Sequence, residues 1–373
     1  MGSSIIKIFF AIIFFIHGLI HLIGFVKAFN FAKISQLTQP ISKVSGTLYL
    51  ITSVLFLTAL VLFLFKYDYW WILGTVAIVI SQILIIRNWH DAKFGTLANL
   101  IILILVFISF MNVLPSSFQN IYKTEVQKRL TPILDVSIVS EKDIEHLPNP
   151  VQKYLQYVGA VGKPKVHNFW AASSGGMKRT TKSNWMDIYS QQYNFFDDPA
   201  RFFYIKSTLF DIPFDGLHMY ADNNATMQIK VASLFQVVNA KGEKMNQSET
   251  VTLFNDMCLL APATLIDKNI QWETIDSLTV KAKFTNKGNT ITATLYFNEK
   301  GELINFISYD RYLSEDGRIY NSYKWSTPAK EYKDFNEKKV PTYLEAIWHI
   351  PEGDFTYAKF ILKKIEYNSK EYK

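Results

Sequence analysis

Four long apolar runs fill the first third of the chain, and short runs alternating apolar and polar residues fill most of the rest. An α-helix rises about 1.5 Å per residue, so roughly 20 apolar residues cross a hydrocarbon layer of about 30 Å. Residues 5–26, 46–65, 70–86 and 97–114 therefore predict four transmembrane helices. The last two are short, but Trp70, Trp71 and Trp89 supply interfacial aromatics at both ends of the third. The first run is longer than a signal-peptide core, lacks a small-residue cleavage site and precedes three more, so it is expected to be retained as a span.

After Pro115 charged residues become frequent, and residues 115–145 read as a linker with some amphipathic helix. In His146-Leu147-Pro148-Asn149-Pro150, Asn149 is expected to cap a short helix with Pro150 in its first turn. Val151, Tyr154, Leu155 and Val158 form its apolar stripe, and Gly159 ends it. From about residue 165 the period drops to two, predicting strands at 166–175, 183–195, 201–210, 216–222, 226–232 and 235–240. Residues 247–260 return to helical spacing, with Ser248 as expected cap and Ala261-Pro262 as the interruption. Strands resume at 271–275, 278–285, 290–298, 303–312, 318–327, 341–350 and 355–367.

Turns at Asn286-Lys287-Gly288-Asn289, Asn298-Glu299-Lys300-Gly301 and Glu315-Asp316-Gly317 join neighbouring strands. About a dozen strands with few helices predict an antiparallel sheet that curls to protect its edges. The expected class is an α+β membrane protein: a four-helix transmembrane bundle over 1–114, a linker over 115–145, and a half-barrel-like β domain with one or two packed helices over 146–373. Alternation puts Trp185, Tyr189 and Tyr193 on one face of a strand, and Phe203, Ile205 and Leu209 on one face of another.

Charge sharpens this picture. The formal net charge is +7, yet residues 1–113 hold seven Lys and Arg against Asp68 and Asp91, leaving the remainder nearly balanced. A basic nucleic-acid-binding face is thereby excluded. Lys27, Lys33, Lys43, Arg87 and Lys93 lie in the loops after the first and third runs, against Lys7 and Lys66 on the other side. This asymmetry places those two loops in the cytoplasm and the large domain outside it. A single cysteine, Cys258, excludes a disulfide framework and a cysteine-based zinc or iron–sulfur site within one chain.

Polar residues inside apolar helices are costly and mark candidate sites. His17 and His21 sit four apart on the first helix, and His21, Gln82 and Asn99 fall at similar depth. His90 and Asp91 lie in the adjoining turn. A metal, haem or redox site using the three imidazoles is one reading of this cluster; interhelical hydrogen bonding beside Gly18 and Gly24 is the other. Elsewhere no phosphate loop, dinucleotide fingerprint, zinc-protease helix or serine elbow occurs. Arg311, among aromatics in Tyr309-Asp310-Arg311-Tyr312 and expected mid-strand, is the soluble cation suited to a lipid phosphate or carboxylate. Asp256 and Glu273 are the candidate carboxylates at the Leu253–Glu273 motif, where either can serve simply to cap or solvate the helix.

The stretch from Leu253 to Asp267, followed by Ile270-Gln271-Trp272-Glu273, resembles an uncharacterised bacterial membrane-protein family known only as a domain of unknown function. So do the Leu147-Pro148-Asn149-Pro150-Val151 opening and Tyr309-Asp310-Arg311-Tyr312. His21-Leu22-Ile23-Gly24-Phe25 and Asp91-Ala92-Lys93-Phe94-Gly95-Thr96 are similar to its multi-span members. That resemblance implies no activity, cofactor or site. The order of strands and helix is more distantly similar to the lipoprotein-carrier (LolA-like) half-barrel, which implies a scaffold sheltering acyl chains.

Together these readings lead to a multi-pass membrane protein whose β domain binds or shields a lipid or other apolar ligand beside the bilayer. Arg311, Trp185, Tyr189 and Trp272 are the expected ligand-binding residues. The expected role is binding without covalent chemistry and without a cofactor.

Overall fold

The computed structural model describes residues 2–209 and 212–373, and side chains outside 1–6 and 209–213. Two compact units are present, Met1–Ser117 and Phe118–Lys373.

The first unit contains α1 (Gly2–Ala28), α2 (Lys43–Leu64), α3 (Trp70–Arg87), the one-turn α4 (Trp89–Ala92) and α5 (Gly95–Val113). By length and composition, four helices could cross a membrane. Helix α1 packs on α2, α2 on α3, α3 on α5 and α5 back on α1, closing a bundle. Ser42 starts α2 by accepting the Ser45 N–H at 3.2 Å. Close approach of α1 and α2 requires Gly24, where an added Cβ would fall 2.5 Å from the Tyr49 ring. Phe14, Phe56, Ala77, Ile102 and Val106 fill the bundle, while Phe9, Phe15, Val54, Val79 and Phe107 stay exposed on its outside. An apolar exterior around an apolar interior is the pattern of helices that meet an apolar surround.

The second unit opens with α6 (Phe118–Arg129), α7 (Glu141–Ile144) and α8 (Asn149–Tyr157). Six strands follow: β1 (Asn168–Met177), β2 (Met186–Phe195), β3 (Ala200–Leu209), β4 (Ile212–Ala221), β5 (Asn224–Val231) and β6 (Phe235–Lys241). Helix α9 (Glu243–Leu260) and a 3₁₀ turn (Pro262–Ile266) then lead to β7 (Ile270–Thr274), β8 (Thr279–Asn286), β9 (Asn289–Phe297) and β10 (Leu303–Ser308). The chain ends through β11 (Tyr312–Leu313), β12 (Asn321–Ser322), β13 (Lys324–Ser326), β14 (Ala329–Phe335), β15 (Lys338–Ile350) and β16 (Gly353–Tyr367).

One antiparallel sheet takes the order β6-β5-β4-β3-β2-β1-β16-β15-β13-β10-β9-β8-β7, with β14 beside β15, and β11 pairs separately with β12. The sheet curls without closing into a barrel. Helix α9 touches β5 and β6 near one edge, β9 and β10 near the other, and β15 between them. In a flat sheet, β6 and β9 would be about 48 Å apart at ~4.8 Å per strand. At ~1.5 Å per residue α9 is only about 27 Å long, so the sheet must wrap around it.

Period-two alternation divides the strands into two environments. Trp170, Ala172, Tyr193, Phe195, Phe202, Tyr204 and Leu217 face outward and pack under α6 through Phe118, Tyr122 and Val126. The alternate positions face α9.

Several local expectations are corrected. Asn149 is the first residue of α8 and caps nothing, since Pro148 occupies the cap position. Helix α9 begins at Glu243, after Gly242 at φ 97°, and Ser248 lies inside it, donating to the Lys244 carbonyl at 2.8 Å. The 303–312 strand stops at Ser308, so Arg311 occupies the bend between β10 and β11. Strand β14 went unforeseen because Lys330, Glu331, Lys333 and Asp334 erase its alternation; it pairs only with β15, where charges are tolerated at an edge. Residue 210, the end of one predicted strand, lies outside the described residues, as does the Leu209 side chain.

Candidate functional site

Between α9 and the inner face of the curled sheet lies a cavity of about 280 Å³. An apolar cavity of ~150 Å³ already accepts a benzene-sized molecule, so this one has room for a longer apolar group. One wall comes from β3–β6, through Phe203, Ile205, Phe214, Ile229 and Val238. The opposite wall comes from Trp325 of β13, Trp348 of β15, and Phe355, Tyr357, Phe360 and Leu362 of β16. Helix α9 supplies Met245, Ser248, Thr252, Asn255, Asp256 and Leu259, the three- and four-residue spacing of one helix face.

Gln192, Arg201, His218 and Asp256 of this lining belong to a buried ionic network. Arg201 donates from Nε to Asp256 Oδ2 at 2.7 Å and from Nη1 to Glu249 Oε2 at 3.1 Å. Gln192 and Asn194 donate to the same Asp256 oxygen at 2.6 and 3.0 Å. His218 Nδ1 stands 3.5 Å from the other Glu249 oxygen. Burial opposes ionisation of Glu249, but the Arg201 charge and the His218 contact outweigh it and hold that carboxyl down at about 2. For Asp256 burial prevails over Arg201 and lifts the carboxyl above its usual range. Burial likewise lowers His218, so its imidazole is neutral in the folded chain near neutrality. Arg201 is therefore matched by acids on either side of it along α9.

Arg311 also lines the cavity and has a different environment. Its guanidinium lies 4.5 Å from the Trp325 ring and 5.2 Å from the Trp348 ring. It donates from Nε to Thr252 Oγ1 and from Nη1 to the Tyr357 hydroxyl, both at 3.2 Å. Trp325 Nε1 donates to the same hydroxyl at 3.3 Å. Among the described residues, no carboxylate comes within 4.0 Å of Arg311. Of the other charged lining groups, Lys178 stands over Trp185, Glu345 pairs with Lys359, and Arg179 and Glu315 are exposed.

The other expected ligand-binding residues lie elsewhere. Tyr189 is on the outward face of β2, paired across the sheet with Lys206, and Trp185 covers Gly176 from that same side. The alternation that grouped them with Tyr193 holds, but their shared face is the one turned away from α9. Trp272 sits on the edge strand β7 against Phe254, with ring centroids 6.4 Å apart, and does not line the cavity. Sequence reasoning missed Arg201, Glu249 and His218. The available signal was a charge set into each apolar run, Arg201 before Phe202-Phe203 and Glu249 on the buried stripe of α9.

In the first unit His17, His21, Gln82 and Asn99 come together around Ser81. His21 Nδ1–H donates to the His17 carbonyl at 2.7 Å and its Nε2 lies 3.0 Å from Ser81 Oγ, which donates to Asn99 Oδ1 at 3.1 Å. His17 Nε2 donates to Asn99 Oδ1 at 2.9 Å. Asn99 Nδ2 donates to Gln82 Oε1 at 3.0 Å, and Gln82 Nε2 to Thr96 Oγ1 at 3.2 Å. His90 and Asp91 belong to another arrangement. The His90 imidazole is exposed and bonds Asp91 at 3.0 Å, while Asp91 accepts from Thr38 and from the Gln39 N–H, tying the α1–α2 loop to α4. Among the described residues no three His, Cys, Asp or Glu side chains group as metal donors.

Residues 137–360 match a family model described as "Family of unknown function (DUF6544)". The chain belongs to this family. The match includes the cavity-lining strands as far as Phe360, the whole of α9, and Arg311, so all of the cavity lining named here except Leu362 lies within the shared region. No curated protein matches the chain. Among solved structures, a LolA superfamily protein from Nitrosomonas europaea aligns with 58% of this chain and 93% of its own, at 8% identity and a TM-score of 0.33.

Proposed function

We propose that this family member is a four-span membrane protein whose second unit holds a lipid or other apolar molecule, without covalent chemistry. The observation that carries the reading is the apolar-walled cavity between α9 and the curled sheet, lined by strands from β6 across to β13. A close-packed interior leaves few voids larger than a water, and a mostly apolar pocket with a few convergent polar groups is the usual form of a small-molecule site. The exposed apolar exterior of the first unit supports insertion in a bilayer. The excess of Lys and Arg in the α1–α2 and α3–α5 loops supports their placement in the cytoplasm, with the second unit on the opposite side.

The full chain, purified from membranes in mild detergent, is expected to yield an apolar compound on solvent extraction, at about one per chain by mass spectrometry. Ile229→Trp, which fills the apolar wall, is expected to lose it. Equal yields from both proteins would remove the cavity from the reading, and an empty wild-type protein would remove the reading itself.

A further inference from the structure

At Arg311 the cavity gathers hydrogen-bond donors. Arg311, the Trp325 indole and the Tyr357 hydroxyl meet at one point, where the Tyr357 oxygen already receives two N–H groups and the Thr252 hydroxyl oxygen receives a third. The hydrogen of the Tyr357 hydroxyl is thus turned away from both its donors. Guanidinium N–H groups not used on Thr252 and Tyr357 add further donors at the same place. The two tryptophan rings fix the plane of the guanidinium, as cation–π stacking does. Of the other two guanidiniums on the lining, Arg201 has its charge matched by Glu249 and Asp256, and Arg179 is exposed.

Donors of this kind, held in place and carrying a positive charge, complement an oxyanion. A planar guanidinium suits carboxylate and phosphate oxygens, which accept in pairs. Across the cavity, β3–β6 present Ile205, Phe214, Ile229 and Val238, and the Arg201 that β3 also brings to the lining has its charge matched by Glu249 and Asp256. The unmatched Arg311 charge thus faces an apolar wall.

We infer that the cavity selects an anionic amphiphile, its carboxylate or phosphate held by Arg311 and Tyr357 and its alkyl chain lying along β3–β6. The inference rests on the apolar-ligand reading above and adds the headgroup to it. Thr252 and the two tryptophans position the guanidinium.

The test is a competition on the full chain in neutral detergent, read by native mass spectrometry. The probes are equimolar hexadecanoic acid, its methyl ester, hexadecyl phosphate and hexadecyltrimethylammonium. Wild-type protein is expected to retain the acid or the phosphate over the ester by roughly 10- to 100-fold, the range of a charge-assisted pair. Which anion dominates tells a carboxylate head from a phosphate head. Arg311→Gln is expected to erase that preference while retaining the ester as wild type does, which also reports that the cavity has kept its shape. Arg311→Lys, with the charge but not the fork, is expected to fall between. Equal retention of acid, phosphate and ester by wild type would overturn the headgroup assignment and leave Arg311 as a distant counter-ion for Glu249. Preference for the ammonium probe would overturn it as well. Retention of no probe at all would instead overturn the apolar-ligand reading on which it stands.

Discussion

Replacing Arg201 with methionine tests whether the charges around α9 form one interdependent network. Arg201 is buried, as are both its acids, with Glu249 fully enclosed. Removing it leaves two carboxylates on one helix with amide donors, a neutral imidazole and the more distant Arg311 charge. Breaking a buried pair by deleting one partner costs about 3–5 kcal/mol. At ~2–4 °C per kcal/mol for a large unit, the expected loss in Tm is roughly 6–20 °C. The assay is thermal unfolding of the full chain in detergent, read by tryptophan fluorescence and by maleimide labelling of Cys258. That thiol lies buried in α9 beside the network, and its burial raises its pKa well above the usual thiol range, so it should react only when α9 is released. Arg201→Met with Glu249→Gln and Asp256→Asn removes every formal charge of the trio and is expected to recover at least half the loss. The single variant should also lose less at pH 4 than at pH 7, because protonation relieves the unmatched acids. A Tm within 2 °C of wild type, or a triple variant less stable than the single one, would refute the argument.

Two further outcomes follow from the same physics. The lowered His218 pKa means that the unfolded chain takes up a proton below its ordinary value of 6.5 while the folded chain resists it. The His218 contribution to stability is therefore fully present above that pH and is lost as pH falls below it toward the lowered folded value; His218→Gln should flatten this slope in pH-dependent unfolding, and an unchanged slope would exclude His218 as its source. In the first unit, Gly24→Leu would drive a side chain into Tyr49, so it should lower the Tm of the bundle or its yield in detergent. A Tm and yield equal to those of wild type would show that α1 and α2 do not need that approach.

Local order was legible because it is encoded locally. The switch from helical spacing to period two, the Asn-Lys-Gly-Asn hairpin with Lys287 and Gly288 at positive φ, and the helical interval in α9 each depend on residues within a few positions of one another. Strand β14 escaped because its charges are set by solvent at an edge and leave no alternation. Membership in a family without assigned function was likewise visible in short motifs.

Tertiary structure decided what period two leaves open. Alternation groups Trp185, Tyr189 and Tyr193 on one face, but not which face meets α9; only the direction in which the sheet curls settles that, and it turned them away. It also brought Arg201 of β3 to Glu249 and Asp256 of α9, pairs separated by 48 and 55 positions. The same holds for Ser81 between His17 and His21, since hydrogen bonding across helices follows from their packing. Side-chain chemistry was fixed by the sequence, and which charges are matched and which remain for a ligand was fixed by the fold.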